Sequence, residues 1–208
     1  MSINLLPEPI RQMWEVHEYR HACAILATDF PQEWKDLLFV LNRFRLFRSS
    51  ILTPGGRKSP IAVSINGLFS EKGWVEKHFD VTITIDGQDR HTPTHGIDYF
   101  KNGVAIETEW NNKDPFYDRD LNNFRLLFDL RAVSVGVVIT RSDALQAIFD
   151  QLGRGKSFGA STTHMSRLMP KIESGSVGGC PLLVFGITKN MNVEDEIPPP
   201  ADSGISDE

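Results

Sequence analysis

Three acids stand close together near the middle of the chain: Asp98, Glu107 and Glu109. Glu107 and Glu109 are two residues apart and follow the apolar run Val104-Ala105-Ile106, which suits a strand. On a strand, residues two apart project from the same face, while Thr108 between them points the other way. Asp98 lies nine residues before Glu107, across Lys101-Asn102-Gly103, and Asn-Gly is the strongest short hairpin signal. A hairpin of strands 96–100 and 104–110 therefore brings Asp98 beside the face that carries the two glutamates. Carboxylates so placed repel one another unless a cation neutralises them. Hard oxygen donors suit Mg²⁺, with Mn²⁺ as a substitute, an ion that keeps several waters and also binds substrate phosphate. Phosphodiester hydrolysis needs such an ion to polarise the phosphoryl oxygen, activate water and steady the leaving alkoxide. The plain alternative is a solvated hairpin face with ordinary surface acids. Against it stands the apolar setting, in which Trp110 directly follows Glu109.

The elements that must position this hairpin follow from pattern. Residues 19–28 read as a strand entering the core. Pro31 opens a helix over 31–45, where Trp34, Leu37, Leu38 and Leu41 recur at helical spacing. Thr53-Pro54-Gly55-Gly56 is a loop, and Ser59-Pro60 begins a second helix over 59–72. Phe79, Val81, Ile83 and Ile85 alternate with polar residues as in a half-buried strand, ended by the turn Asp86-Gly87. Leu121, Phe124, Leu127 and Phe128 mark an amphipathic helix, and 133–139 is a β-branched run suited to a buried strand. Ser142 can cap a helix carrying Leu145, Ile148, Phe149 and Leu152. A polar loop over 153–163, a short helix and an apolar strand over 181–188 complete the order. It predicts an α/β sandwich around a central mixed sheet.

Composition bounds the rest. A chain of 208 residues, 40% hydrophobic and 24% charged, can bury one substantial core. The expected organisation is one domain over 1–193 and a disordered acidic tail over 194–208, which holds six acids and no base beside three consecutive prolines. The net charge of −5 owes much to that tail, since the body carries 22 bases against 21 acids. Between Arg141 and Lys171 five bases face two acids, a balance compatible with phosphate contacts. No run is long enough to span a bilayer, and 1–20 lack the apolar core of a signal peptide. Cys23 and Cys180 read as buried, reduced thiols of a cytoplasmic protein, and no Cys/His spacing suits zinc.

The segment from Asp98 through Val104-Ala105-Ile106-Glu107-Thr108-Glu109-Trp110 resembles the catalytic hairpin of the BglII/BstYI family of type II restriction endonucleases, a variant of the PD-(D/E)xK nuclease motif. The likeness extends to Pro31-Gln32-Glu33-Trp34-Lys35, to Ser59-Pro60-Ile61-Ala62-Val63 with Glu71-Lys72-Gly73-Trp74, and to Pro181-Leu182-Leu183-Val184-Phe185-Gly186-Ile187. It covers 19–188 in the same order. The resemblance implies a restriction-endonuclease-like α/β/α sandwich and Mg²⁺-dependent cleavage of double-stranded DNA. It further implies a homodimer, a palindromic site with a GATC core, 5′ overhangs and a methyltransferase in the same system. Within it, Asp98 and Glu107 hold the metal. The family usually shows E-x-Q and the wider superfamily E-x-K, whereas Glu109 matches the related enzyme BamHI. That departure favours a route in which Glu109 orients or deprotonates the attacking water. A fourth polar group is expected from the preceding element; Glu76 is the candidate, with a solvated helix-end glutamate as the alternative.

Asn111, Asn112 and Lys113 follow the catalytic strand and would face the same DNA, although Asn-Asn is also common turn chemistry. The loop 153–163, with Arg154, Lys156, Ser161, Thr162 and Thr163, resembles in position a DNA-reading loop of the family; a plain surface loop is its alternative. Its glycines lack P-loop spacing and follow a helix, which excludes nucleotide binding of that kind. His91, His95 and His164 stay outside the assignment, and Lys101 reads as a solvated turn residue. Two other functions remain open: a repair or structure-selective nuclease of the same superfamily, and a catalytically silent DNA-binding module.

Overall fold

A computed structural model describes residues 2–53, 59–93 and 96–195. The chain begins with helix α1 (Glu8–Met13) and strand β1 (Trp14–Tyr19), followed by α2 (Ala22–Asp29) and α3 (Pro31–Arg43). The short strand β2 (Leu46–Phe47) leads through α4 (Arg48–Leu52) to α5 (Pro60–Ser70), where Ser59 caps Ala62 N and Pro60 occupies the first turn. Next come β3 (Val75–Lys77), the ribbon β4 (Asp80–Ile85) and β5 (Gln88–Pro93), and the hairpin β6 (Ile97–Lys101) and β7 (Val104–Thr108). Helix α6 (Pro115–Asp129), β8 (Val135–Arg141), α7 (Gln146–Gln151), α8 (Met165–Glu173), β9 (Leu182–Ile187) and β10 (Asn192–Val193) complete the chain.

Six strands form the main sheet in the order β1-β9-β8-β7-β6-β3. The central pairs β9–β8 and β8–β7 are parallel, and the outer pairs are antiparallel, so the sheet is mixed. Both faces are covered. Tyr99, Ile106, Val137, Ile139 and Phe185 pack with α1, α2, α3, α5 and α7. Ala105, Val138, Leu182 and Val184 pack with α6 and α8 on the other side. Burial on both faces is why β7, β8 and β9 are apolar runs without alternation. The α/β/α sandwich is the expected architecture.

Two readings change. The strand expected over 19–28 is instead the end of β1 followed by α2. Arg20 and His21 turn the chain at φ of 53° and 57°, and the alanine-rich run Ala22-Cys23-Ala24 is better suited to a helix than to a strand. The half-buried strand at 79–85 exists, with Val81 and Ile83 partly buried, but β4 pairs only with β5, in a ribbon apart from the main sheet. The loop expected from Thr53 onward falls largely outside the described residues. So does most of the expected tail; Glu194 and Asp195 are placed, and the Asp195 carboxylate accepts from Ser49 N at 2.9 Å and from its hydroxyl. Cys23 and Cys180 are free and buried. No helix among the described residues is long and apolar enough to cross a membrane.

The β6–β7 turn is held far more firmly than its type requires. Asn102 and Gly103 adopt φ of 48° and 84°, the left-handed pair that a two-residue hairpin needs. Lys101 is not solvated as expected: Nζ donates to Asp36 Oδ2 and to the Lys72 carbonyl, each at 2.8 Å. Asp36 is buried and also receives Trp74 Nε1 at 3.2 Å and Gln32 Nε2 at 2.9 Å. Asn102 Nδ2 donates to buried Glu33 at 2.7 Å. Two acids of α3 thus clamp the hairpin tip. Lys101→Met should lower the free energy of unfolding in urea by about 1.5–3 kcal/mol, the worth of a hydrogen bond to a charged group. A change within about 0.5 kcal/mol, typical of surface sites, would show the clamp to be idle.

Candidate active site

The register of β6 against β7, Tyr99 opposite Ile106, places Asp98 opposite Glu107. The two residues engage directly: Asp98 N donates to Glu107 Oε2 at 3.3 Å, and Asp98 Oδ2 accepts from Thr108 N at 3.0 Å. Asp98 reaches solvent at its cleft edge while protein encloses its remaining sides, and that enclosure raises its carboxyl above the usual range. Glu107 is 1% exposed, and its Oε1 has no hydrogen-bond partner among the described residues. Burial first, then Asp120 and Asp98, hold its carboxyl well above the ordinary value.

Glu109 is also buried but is occupied differently. Asn112 Nδ2 donates to Oε2 at 2.7 Å, and Arg119 Nη2 lies 3.4 Å from Oε1. Burial, followed by the charge of Asp120 and a hydrogen bond with it, pushes Glu109 up to about 9; these outweigh Asn112 and Arg119, which act the other way. Asp120 is 1% exposed and pairs with Arg119, whose Nε donates to Oδ1 at 2.8 Å. The guanidinium of Arg119 also lies over the Phe116 ring at 4.4 Å. Neither Arg119 nor Asp120 was singled out in the sequence. The signal was present, because Asp120 lies three residues after Tyr117 and four before Phe124, on the stripe that α6 buries. Among the described residues no three acid, imidazole or thiol groups gather around one ion position. The acids divide instead into the pair Asp98–Glu107 and the group Glu109–Asp120–Arg119.

A cleft of about 410 Å³ opens over these groups. Glu76, Asp98, Glu109, Asn112, Arg119 and Arg154 all line it; Glu107 is not part of the lining but meets Asp98, which is. Glu76 sits on β3 and not at a helix end; its side chain is 64% exposed and lies 3.3 Å from His78 Nε2. Asn111 takes φ 57° beside the cleft, and its buried Oδ1 lacks a partner among the described residues. His91 is exposed and meets Thr82, while His164 is buried against Asp143 at 2.7 Å. His95 lies outside the described residues.

The two candidate DNA-contacting segments prove to be one surface. Lys113 and Thr162 form an antiparallel bridge, Asp114 N donates to Ser161 O at 3.1 Å, and Thr163 N donates to Asn112 O at 2.8 Å. Lys113, Lys156 and Ser161 are exposed, and Arg154 is partly buried. Thr163 corrects the expectation of a base contact. It is fully buried, and its hydroxyl accepts from Asn112 N at 3.1 Å, so it ties the segments together. Thr162, partly buried, spends its hydroxyl on Gly159 O at 2.8 Å. The loop is anchored by Phe158, stacked on Phe149 with centroids 4.0 Å apart.

A model of the restriction endonuclease BglII/BglIII family matches residues 14–187. The chain belongs to this family. The match runs from the first residue of β1 to the last of β9, and so spans the main sheet and the whole cleft. Membership in the BglII/BglIII family makes the protein a type II restriction endonuclease, a nuclease that binds double-stranded DNA. Enzymes of this kind generally use divalent metal ions. No curated protein matches the chain. The donor set fits such an ion, since Asp98 and Glu107 offer carboxylate oxygens and Glu107 Oε1 is buried without a partner.

The raised carboxyls carry a stability consequence. A native acid held above its unfolded value retains a proton that the unfolded chain releases, so stability falls as pH rises between the two values. For Glu109 that window runs from the ordinary 4.5 to about 9. In metal-free buffer with EDTA, the melting temperature should fall across this range. Glu109→Gln should flatten the decline, and Asp120→Asn should move it to lower pH. An unchanged slope in both variants would contradict the assignment.

Proposed function

We propose that the protein is a Mg²⁺-dependent homodimeric restriction endonuclease that cuts both strands of a palindromic site with a GATC core, leaving 5′ overhangs. Mn²⁺ would substitute for Mg²⁺, a methyltransferase of the same system would protect the host's sites, and cleavage would take place in the cytoplasm. The observation that carries this reading is the Asp98–Glu107 pair, whose Glu107 Oε1 has no partner among the described residues, at a cleft that Asp98 lines together with Asn111, Asn112, Arg154 and Phe158. A two-fold assembly suits a palindrome because each subunit supplies one active site per strand.

Asp98 and Glu107 would hold the metal. When bound, Mg²⁺ supplies charge stabilisation at the phosphoryl group and lowers the cost of deprotonating water. Glu109 would orient the attacking water or take its proton, and Asn112 fixes the direction of its Oε2. Glu76, across the cleft on β3, is the proposed fourth polar group. Lys113, Lys156 and Arg154 would meet phosphates, while Asn111, Asn112, Ser161 and Thr162 remain candidates for base edges.

Incubation with bacteriophage DNA tests the whole reading. Discrete fragments are expected with Mg²⁺ or Mn²⁺ and none in excess EDTA, while Ca²⁺ should support binding without turnover. A smear would favour a repair or structure-selective nuclease, and binding without cutting in Mg²⁺ a silent module. Asp98→Ala and Glu107→Ala should each abolish cleavage yet leave DNA binding intact, read by gel shift in Ca²⁺; wild-type cleavage by the double variant would move the active site elsewhere. Glu109→Gln should retain measurable activity. A loss of about 10²–10⁴-fold would instead mark Glu109 as the proton acceptor.

A further inference from the structure

Arg141 ends β8 and is one of the largest fully buried side chains in the molecule, at 2% exposure. Among the described residues it forms no ion pair with a carboxylate. An unpaired buried cation is costly, and an apolar side chain of similar volume would fill the same space more cheaply. Its bonds all go to one place. Nε donates to Thr163 O at 3.1 Å, and Nη2 donates to Phe158 O at 3.0 Å and to Thr162 Oγ1 at 2.9 Å. The guanidinium lies 5.4 Å from the centroid of Phe149, the ring on which Phe158 stacks. The planar fork of arginine thus holds the loop on both sides of Ser161, at two backbone carbonyls and one hydroxyl.

The two residues before Arg141 hold the catalytic strand. Glu109 N donates to Ile139 O at 2.9 Å, and Thr140 Oγ1 donates to Glu109 O at 3.0 Å. Glu109 in turn is held by Asn112, whose backbone pairs with Thr163. Glu109, Asn112, Thr163, Arg141 and Thr140 are therefore joined in a closed circuit around the end of β8, four links being hydrogen-bonded and the fifth, Thr140 to Arg141, the chain itself. The loop thus reaches the Glu109 carboxylate through two links, Thr163 to Asn112 and Asn112 to Glu109.

We propose that Arg141 is a positioning residue that couples base reading by the 158–163 loop to the placement of Glu109, so that a mismatched duplex slows cleavage and does not merely weaken binding. The inference rests on the nuclease reading above and assigns Arg141 a part in its specificity. The circuit supplies a contiguous route between the two sites, and the cleavage measurements below test whether coupling travels along it.

The test uses the full-length wild-type chain with Arg141→Lys and Arg141→Met. The site cut by the wild type is first mapped on bacteriophage DNA. Single-turnover cleavage is then measured on duplexes bearing that site or single-base-pair variants of it. The ratio of cognate to altered-site rates is the readout, because a loss of folded or active protein scales both rates equally and leaves the ratio alone. The ratio should fall at least about tenfold for Arg141→Met, a loss within the discrimination that one base pair ordinarily carries. Arg141→Lys, which keeps the charge and loses the fork, should lie between, and it serves if the methionine variant does not fold. Ratios within twofold of wild type in the variants, with the wild type cutting, would overturn this inference alone. A wild-type chain that cuts no sequence would overturn the nuclease reading and this inference with it.

Discussion

The interior beneath β7 carries more negative groups than a packed layer tolerates, and much of the surrounding structure answers that excess. Glu107, Glu109 and Asp120 are each at most 2% exposed, in a layer that otherwise holds Ala105, Leu121 and Phe124. Isolated carboxylates cannot remain ionised in such surroundings without partners. Asp98 N, Asn112, and Arg119 supply those partners, each from a different segment. Glu107 Oε1 has no hydrogen-bond partner among the described residues, and under the proposed function it is the oxygen that a divalent ion would meet. The acids are thus kept in an arrangement that is poor for stability, the kind of trade found at sites that do work.

Holding that arrangement requires rigid supports at both ends of the hairpin. At the tip, Asp36 and Glu33 of α3 grip Lys101 and Asn102. At the base, β7 is flanked by β8, whose last three residues reach Glu109 on one side and the 158–163 loop on the other. Neither support touches the cleft. Both rest on polar groups buried in an otherwise apolar sandwich, Asp36 and Glu33 at the tip and Thr140, Arg141 and Thr163 at the base, and such groups fix orientation because any slip leaves a donor or acceptor stranded.

The part of the site written in local pattern was legible. Asn102-Gly103 marked the hairpin and the nine-residue offset brought Asp98 opposite Glu107, whereas Glu109 falls with Asp120 and Arg119. The layer order followed from alternating helical and strand periods, and the family from motifs spread along the chain. What escaped was contact between distant segments. Nothing near Lys101 announces Asp36, 65 residues away, and nothing near Thr163 announces Asn112. Thr163 looked like an available hydroxyl because burial cannot be read from a polar loop. Asp120 escaped for a different reason: a helix is judged by its apolar stripe, and an acid on that stripe is easily passed over as an exception. The misassigned 19–28 strand shows the limit of a short apolar run, whose fate was decided by the left-handed turn at Arg20 and His21.

The two native thiols give the molecule a practical property. Cys23 and Cys180 are both 0% exposed, and burial pushes each up to about 12, far from the reactive thiolate form. Maleimide and iodoacetamide reagents should therefore pass over the folded wild-type chain. A single cysteine introduced at Asp89, on the exposed β4–β5 ribbon, would then accept a fluorophore or spin label without any background to remove. In the proposed homodimer, distances between such labels would report how the two clefts sit around a duplex.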